Sequence, residues 1–367
     1  MIVYYFGADA PWEAQLEADI NRRNMAMLLA ISQHALITKV YNVIRCTRAL
    51  LFNKNNQKRS QNPKIENLYV AMTFPERGMV NMIPKYLNKS IIKFVNGNRL
   101  ETKNAISWCY WPKGYVDYQF LGLNNSMIFD TDHNIINDPN LDDNVKAQRA
   151  ELLLQAGNRA KLILSSARSM LKWYHNNNLK NTKLVMNGAF SSRIDLSSKR
   201  QKEDNLVVTY CGTLSKWVKV DWLIRLAKDL PNGTINIIGK NYKTELESEL
   251  SQLQNIKMHG FLKPYKVDEI LRNTDVCIGL YQEDEALDVN SMKIYDYLSK
   301  GLPVVVNDYH NHLQGDFENL IQVEKSYSGF LQAVSNANPP SKIALEEFLH
   351  KVLWQNRIYE VFNEIED

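Results

Sequence analysis

The strongest constraint on the fold is a regular alternation of short apolar runs with helical patterns, which occurs in two series. The first series opens with I-V-Y-Y-F at residues 2–6, and the second opens with L-V-V-T-Y at residues 206–210. Strands that are separated by helices pair in parallel, because the crossover connection needs about that length of chain. The alternation therefore predicts an α/β protein with two doubly wound domains, each built on a parallel sheet.

The chain of 367 residues is long enough for two hydrophobic cores, and a polar stretch marks the boundary between them. Residues 191–205 are rich in Ser, Lys, Arg and Asp, which is typical of a linker. The first domain is therefore predicted over residues 1–190 and the second over residues 191–344. The closing residues 345–365 form one amphipathic helical pattern, which could pack across both domains.

The predicted strands place glycines and acidic residues at their carboxyl ends. In the first domain the strands are predicted at residues 2–6, 68–74, 106–111, 126–130 and 161–165. In the second they are predicted at residues 206–210, 234–238, 256–259, 276–281 and 303–307. Parallel sheets bind ligands at this end, where the sequence has Gly7, Asp130, Gly212, Gly239, Gly260 and Asp288. We therefore expect the functional site in a cleft between the two domains.

Residues 288–306, D-V-N-S-M-K-I-Y-D-Y-L-S-K-G-L-P-V-V-V, predict a helix that can bind an anion. Asn290 or Ser291 is a suitable N-cap, and Gly301 ends the helix. The first turn of a helix offers unpaired N–H groups and the positive end of the dipole, and Lys293 adds a full charge there. The pattern favours a phosphate or diphosphate site, although an ordinary capped helix would show it too.

Basic residues are concentrated in the first part of the chain. Residues 1–100 contain 14 Lys and Arg against 6 Asp and Glu, a net charge of +8, and the remaining residues carry −4. This asymmetry predicts an anionic partner, such as a phosphate-bearing acceptor or an anionic membrane surface. Residues 36–59 mix apolar and basic side chains, as a segment lying on a membrane does. No motif for reading nucleic acid accompanies the charge, so we do not expect a nucleic-acid partner.

The cysteines and the N-terminus indicate a cytoplasmic protein. Cys46, Cys109, Cys211 and Cys277 are far apart and form no C-x-x-C pair, so we expect reduced thiols. We expect no signal peptide before Gly7, and no stretch has the roughly 20 apolar residues of a transmembrane helix. Any membrane contact is therefore expected to be peripheral, at the inner face of the cell membrane.

Four motifs resemble those of glycosyltransferases with the GT-B fold. They are V-M-N-G-A-F at residues 185–190, V-V-T-Y-C-G-T-L at residues 207–214, H-G-F-L-K-P at residues 259–264 and S-M-K-I-Y-D-Y-L-S-K-G-L-P-V-V at residues 291–305. The resemblance implies two Rossmann-like domains facing a cleft, with a C-terminal helix, residues 345–367, that returns to the first domain. It also implies that the second domain holds a nucleotide diphosphate sugar.

The same resemblance assigns donor contacts in the second domain. Ser291, Met292 and Lys293 match the S-M-K triplet that holds the diphosphate and ribose in the xanthan glucuronosyltransferase. The other residues implied to bind the nucleotide sugar are Gly212, Thr213, Lys216, Lys219, Phe261, Lys263, Asp288, Asn290 and Asp296. Asp288 and Asp296 have the spacing of the E-x7-E motif of retaining glycosyltransferases, with Asp in place of both Glu. Each arm is thereby shorter by one methylene, so inverting and retaining chemistry both remain open.

The first domain supplies candidates for the base that deprotonates an acceptor hydroxyl. Asp130, Asp132 and His133 end the run S-M-I-F-D-T-D-H, which leads from a predicted strand into the cleft. Further candidates for the acceptor side follow two other strands, and these are Gly7, Glu76 and Arg77.

The D-T-D sequence also resembles the metal-binding D-x-D of GT-A transferases. A GT-A enzyme has one main α/β domain and would leave residues 206–307 unexplained. In a GT-B site a helix dipole and a cation stabilise the leaving diphosphate. We therefore expect a metal-independent enzyme without a cofactor, since the nucleotide sugar is itself a substrate.

The function expected from these features is sugar transfer in bacterial-type exopolysaccharide or cell-surface glycan synthesis. The donor would be a UDP-sugar rather than a GDP-sugar, and the acceptor a lipid-linked sugar or a polysaccharide. Two alternatives remain. One is a sugar-nucleotide 2-epimerase, which shares the two-domain fold and needs no acceptor. The other is a catalytically silent GT-B subunit that binds a partner transferase.

Overall fold

The protein forms two compact units, each assembled from several stretches of the chain. The computed structural model describes residues 1–7, 12, 23–46, 62–71, 100–132, 134–136, 141–191, 194, 205–214, 217–240, 244–282, 288, 290–308, 317 and 319–366. Unit 1 consists of residues 1–186, 287–289 and 354–367. Unit 2 consists of residues 187–286 and 290–353.

The sheet of unit 1 has seven strands in the order β3-β2-β1-β4-β5-β6-β7. The strands are β1 Ile2–Phe6, β2 Lys39–Cys46, β3 Ile65–Ala71, β4 Ala105–Tyr110, β5 Ser126–Thr131, β6 Leu162–Ser165 and β7 Thr182–Leu184. All neighbouring pairs are parallel. The chain runs from β1 to β3 in one direction and then from β4 to β7 in the other, so the order reverses between β1 and β4.

The sheet of unit 2 has six strands in the order β10-β9-β8-β11-β12-β13. The strands are β8 Val207–Cys211, β9 Thr234–Ile238, β10 Ile256–Gly260, β11 Val276–Gly279, β12 Val304–Asn307 and β13 Gln322–Glu324. They too pair in parallel. Here the order reverses between β8 and β11.

Helices connect the strands of both sheets. They are α1 Arg23–Gln33, α2 Trp111–Leu121, α3 Asp143–Arg159, α4 Arg168–Asn176, α5 Val220–Asp229, α6 Thr244–Ser251, α7 Pro264–Leu271, α8 Met292–Ser299, α9 Tyr327–Ser335, α10 Lys342–Lys351 and α11 Trp354–Glu366. In α5, Trp222, Leu223 and Leu226 are buried in the core of unit 2 at helical spacing. In the central strand β1, consecutive residues from Val3 to Phe6 are buried, as expected of a parallel strand that is covered on both faces.

The predicted strands of both series are confirmed, with ends that shift by a few residues. Four further elements, β2, β7, β13 and α9, were not predicted. The division between the units falls after Met186 and after Leu353, compared with the predicted positions after residues 190 and 344.

Two predictions about the course of the chain are wrong. Residues 345–365 are not one helix, because α10 ends before Val352, whose carbonyl accepts a 2.9 Å hydrogen bond from the N–H of Ala189 in unit 2. Residues 39–46 are not a surface segment. They form β2 between β1 and β3, with Val40, Val43 and Ile44 buried. The remainder of the basic segment, residues 47–59, lies outside the described residues.

Candidate functional site

Three glycines lie side by side at the carboxyl ends of β8, β9 and β10. Gly212, Gly239 and Gly260 have φ angles of 153°, 145° and 64°, which favour glycine. The backbone is closely packed here, because a Cβ on Gly239 would lie 2.0 Å from the Gly212 carbonyl oxygen. Gly212 N–H donates to the Ile238 carbonyl at 2.8 Å. Gly212 thus lies beside the point where the strand order of unit 2 reverses, which is the usual ligand position in such sheets.

Helix α8 begins as the sequence predicts, with buried Ser291 at its N-cap position. The Ser291 side chain makes no capping hydrogen bond, so it does not occupy the N–H groups of the first turn. Gly301 ends the helix region with φ 68°. An N-terminus of this kind can bind an anion if a cation also lies nearby.

Lys293 is that cation, and its ammonium group lies beside Gly212. Its Nζ lies 4.5 Å from the ring centroid of Tyr210 and 5.0 Å from that of Tyr281. A Cβ on Gly212 would lie 2.7 Å from Nζ, so the ammonium group directly underlies the Gly212 turn. Burial opposes the charge, but Tyr210 and Tyr281 hold the pKa of Lys293 above its usual value. No carboxylate among the described residues forms an ion pair with Lys293.

Two residues that the sequence analysis did not single out fix the surrounding backbone. The Tyr297 hydroxyl, on α8, accepts a 2.7 Å hydrogen bond from Cys211 N–H, immediately before Gly212. Asn187 N–H donates to the Asn290 side-chain oxygen at 2.6 Å, and the Asn187 amide donates to the Asn290 carbonyl. Asn290 is thus a positioning residue just before α8. Tyr297 and Asn187 resemble ordinary core and turn residues in the sequence, and their roles arise from partners 86 and 103 positions away.

The other implied donor contacts surround the same edge or lie outside the described residues. The Thr213 carbonyl accepts from the Tyr210 hydroxyl at 3.4 Å. Lys219 lies at the N-cap position of α5, with Nζ 5.0 Å from the Trp222 ring centroid. Met292 and Asp296 are half-buried on α8. Lys216 is not among the described residues.

Phe261 and Lys263 follow β10 and are both exposed. The Phe261 ring is 61% accessible, and the Lys240 ammonium lies 5.7 Å from its centroid. An exposed aromatic ring at the carboxyl edge of a sheet is available to stack against a planar group.

Asp288 belongs to unit 1, which includes residues 287–289. Its carboxylate accepts a 2.7 Å hydrogen bond from the N–H of Ser169 in the first turn of α4. Its φ of 47° is a left-handed conformation that Asp tolerates better than most residues. The Asp288 carboxylate therefore acts as a cap supplied from a distant part of the chain.

Asp130 is buried in an ion pair. Arg23 donates to its carboxylate at 3.0 Å, and the two side chains are 2% and 0% accessible. Trp108 Nε1 donates to the other oxygen at 3.4 Å. Burial raises the pKa of the Asp130 carboxyl, and the Arg23 guanidinium offsets part of that rise. A carboxylate enclosed in this way holds α1 to the sheet, and it is not accessible to deprotonate an acceptor hydroxyl.

Asp132 lies two residues further along, at the carboxyl edge of the unit 1 sheet, and is half-buried. The Tyr110 hydroxyl and Trp111 Nε1 each donate to its carboxylate at 2.8 Å. Trp111 has φ 62°, an uncommon conformation for a residue other than glycine. Gly7 lies beside this group, since a Cβ on Gly7 would be 2.6 Å from Tyr110 Cβ.

The remaining predicted residues of the first domain, His133, Glu76 and Arg77, lie outside the described residues. Asp130 and Asp132 do not form a paired metal site, because each carboxylate is held by different donors. Within the described part of the chain, no three His, Cys, Asp or Glu side chains converge as metal ligands. Cys109, Cys211 and Cys277 are free thiols. Over the same residues, no helix has both the length and the apolar character needed to span a bilayer.

Comparisons with known proteins agree with this geometry. Residues 205–337 match the family described as glycosyl transferases group 1. A sucrose-phosphate synthase from Thermosynechococcus elongatus superposes with a TM-score of 0.68 at 10% identity, covering 99% of this chain and 98% of the other. The Anabaena protein HepE, in complex with UDP and glucose, superposes with a TM-score of 0.64 at 13% identity, covering 99% of both chains.

A third solved structure, the lipopolysaccharide outer core galactosyltransferase WaaB in its apo form, has a TM-score of 0.61 at 12% identity. The superposition covers 100% of this chain and 99% of the WaaB chain. No curated protein matches the sequence. At such low identities these likenesses establish the fold, while the family match identifies the domain that contains Lys293, Gly212 and Ser291.

Proposed function

We propose that this protein is a glycosyltransferase of the GT-B fold whose donor is a UDP-sugar, because residues 205–337 match the glycosyl transferases group 1 family and the solved structures share its fold. We further propose a lipid-linked or glycan acceptor, as in exopolysaccharide or cell-surface glycan synthesis, and a donor site that needs no metal. Peripheral contact with an anionic membrane remains part of this proposal, supported by the net charge of +8 in residues 1–100.

The observation that carries the proposal is Lys293. Its ammonium group lies under the Gly212 turn, and Lys293 itself stands in the first turn of α8. A cation without an ion-pair partner among the described residues, beside the free N–H groups of a helix start, suits a group with two or more negative charges. A diphosphate leaving group is such an anion, and stabilising it is the main electrostatic requirement of sugar transfer.

The choice of UDP is supported by the likeness to HepE, whose structure contains UDP and glucose. The choice of a cell-surface glycan is supported by the likeness to the lipopolysaccharide galactosyltransferase WaaB. For the base that activates the acceptor we propose Asp132 or His133. Asp132 is half-buried at the sheet edge, whereas Asp130 is enclosed by Arg23.

Calorimetric titration with UDP and GDP in the presence of EDTA tests the donor site. The wild type is expected to bind UDP more tightly than GDP, and Lys293→Ala to weaken UDP binding by about 2–5 kcal/mol, since a desolvated charge partner is removed. Lys300→Ala is the matched control, because Lys300 lies at the other end of α8 and pairs with Asp268 at 2.9 Å. It should bind UDP as the wild type does.

The proposal would be wrong if Lys293→Ala bound UDP unchanged, or if binding required a divalent metal. Incubation with UDP-sugars then separates transfer from the alternatives. Sugar transferred to a lipid-linked acceptor supports the proposal. An epimerised sugar formed without acceptor would indicate an epimerase, and binding without turnover on any acceptor would indicate a silent subunit.

A further inference from the structure

Among the described residues, Lys293 contacts two aromatic rings and forms no ion pair with a carboxylate. Tyr210 is the next-to-last residue of β8, and Tyr281 lies two residues after β11; the order of the unit 2 sheet reverses between these two strands. Their ring centroids lie 4.5 and 5.0 Å from Nζ, close enough for a cation–π interaction with both. We call the pair the tyrosine cradle. It surrounds the cation at the position in the sheet where a ligand is expected.

Two other lysines of this protein are held by carboxylates. Lys300 pairs with Asp268 at 2.9 Å, and Lys183 with Glu364 at 2.5 Å. A carboxylate partner neutralises the cation and competes with an incoming anion. A π face attracts the ammonium group without cancelling its charge, and the attraction reaches about 2 kcal/mol where water is excluded. The tyrosine cradle therefore fixes Lys293 while leaving its full charge for a ligand.

The cradle is itself fixed by neighbouring backbone and side-chain groups. Asn307, at the end of β12, accepts from Tyr281 N–H at 3.0 Å and donates to the Tyr281 carbonyl at 2.7 Å. Gln282 N–H donates to the Trp217 carbonyl at 2.8 Å. The backbone of the segment that carries Tyr281 is thus held on two sides, which fixes the position from which its ring extends.

The geometry points to Tyr210 and Tyr281 as positioning residues, which hold the ammonium group of Lys293 charged and directed under Gly212 to receive the diphosphate of the donor. The inference rests on the proposed function for the identity of the ligand. It adds that the rings, rather than the phenol hydroxyls, determine how strongly the site binds phosphate groups. Both hydroxyls also reach the ammonium group: the Lys293–Tyr210 hydrogen bond is long, at 3.4 Å, and a hydrogen bond with the Tyr281 side chain helps to raise the pKa of Lys293.

Tyr281 is the cleaner position for a test, because the Tyr210 hydroxyl also contacts the Thr213 carbonyl. Tyr281→Phe keeps the ring and removes the hydroxyl, whereas Tyr281→Leu removes the π face and keeps an apolar side chain. Calorimetry with UDP, uridine and inorganic pyrophosphate is applied to both variants, to Lys293→Met and to the double variant Tyr281→Leu/Lys293→Met. Thermal unfolding confirms that each variant is folded.

We expect Tyr281→Phe to bind UDP within about threefold of the wild type. Tyr281→Leu should lose about tenfold in affinity for UDP and for pyrophosphate, which corresponds to roughly 1.4 kcal/mol, and should bind uridine unchanged. In the Lys293→Met background, Tyr281→Leu should cause no further loss, because the ring acts through the ammonium group. A merely structural role for Tyr281 would weaken UDP and uridine binding equally.

The inference is overturned if Tyr281→Leu binds UDP like the wild type, if UDP and uridine weaken together, or if the loss persists without Lys293. A different result would overturn only the proposed donor. If the wild type bound no nucleoside diphosphate, yet bound pyrophosphate in a manner that depended on Lys293 and Tyr281, the cradle would stand and the UDP-sugar assignment would fall.

Discussion

Gly212 lies where the end of β8 approaches the cation of the candidate donor site. A Cβ at this position would lie 2.7 Å from Lys293 Nζ and 3.0 Å from the Tyr210 hydroxyl oxygen. Its φ of 153° is also a conformation that residues with a side chain rarely adopt. Two separate costs therefore oppose a side chain here. One is a strain on the backbone, and the other displaces the ammonium group from its position under the turn.

Gly212→Ala separates a binding effect from a folding effect. The flexible end of Lys293 can give way to the new methyl group, so the variant should fold, with a loss of about 1–3 kcal/mol in the free energy of unfolding. UDP affinity should fall by about tenfold or more, because the displaced ammonium group no longer faces the diphosphate. Urea unfolding and calorimetry measure the two quantities.

Gly122→Ala is the matched control for the backbone strain. Gly122 caps α2 in unit 1 with φ 61°, far in sequence from the candidate donor residues. Its substitution should cost about 1–2 kcal/mol of stability and leave UDP affinity unchanged. Equal losses of UDP affinity in both variants would contradict the role given to Gly212.

At the residue scale, the sequence predicts those site residues whose role follows from local pattern. Ser291 and Lys293 are candidates because a helix start and a nearby cation are visible within a few positions. Tyr210 and Tyr281 were not, because an aromatic residue at the end of an apolar strand resembles core packing until its partner is known. Asp130 was predicted as a base for the same reason, since Arg23 is 107 residues away.

Helix α4 depends on a side chain from a distant part of the chain. Ala167 occupies its N-cap position and offers no side-chain acceptor, and the Asp288 carboxylate accepts from Ser169 N–H in its place. The same Asp288 was predicted to contact the nucleotide sugar, three positions before Ser291. The structure gives this carboxylate a defined partner within unit 1.

Substitutions at Asp288 test the capping role. Asp288→Ala should lower the free energy of unfolding by about 1 kcal/mol, the usual effect of removing an N-cap acceptor. Asp288→Asn keeps an oxygen acceptor and should lower the free energy of unfolding by only a few tenths of a kcal/mol. Urea unfolding measures the stability, and hydrogen exchange of the α4 amides reports where it is lost.

If Asn proved as damaging as Ala, the charge rather than the hydrogen bond would be the stabilising property. A loss of UDP affinity in Asp288→Asn, without a change in stability, would instead restore the predicted donor contact. The two results are distinguishable because they appear in separate measurements.

At the element scale, strands were easier to predict than the ends of helices. The predicted GT-B fold is confirmed by both sheets and by the solved structures with the same fold. A buried parallel strand is a short apolar run between polar turns, and the sequence marks it clearly. The break between α10 and α11 contains no proline or glycine that would mark it in the sequence. It coincides with the pairing of Ala189 with Leu353, a contact between distant parts of the chain. Strand β13 has only three residues, Gln322–Glu324, and contains no apolar run from which a strand could be predicted.

At the scale of the whole molecule, unit 1 requires both ends of the chain. Helix α11 returns to it and packs against α1, with Trp354, Ile358 and Phe362 buried. The Phe362 ring stacks on His34 with centroids 4.5 Å apart and lies 6.5 Å from Trp108 of β4. A helix encoded more than 300 residues after β1 therefore completes the first core. Lys293, Ser291 and Gly212 lie in unit 2, so we expect the stability of unit 1 and the affinity for UDP to change separately.

Phe362→Ala tests this separation against Tyr359→Ala, one turn earlier on the same helix. Phe362 is 1% accessible and Tyr359 is 59% accessible. The buried substitution leaves a cavity and should cost about 3–5 kcal/mol in the free energy of unfolding, whereas the exposed one should cost less than about 1 kcal/mol. Calorimetry below the unfolding transition should find the UDP affinity of both variants equal to that of the wild type. Equal stabilities would show that α11 does not complete the core of unit 1, and a selective loss of UDP affinity in Phe362→Ala would show that the donor site depends on it.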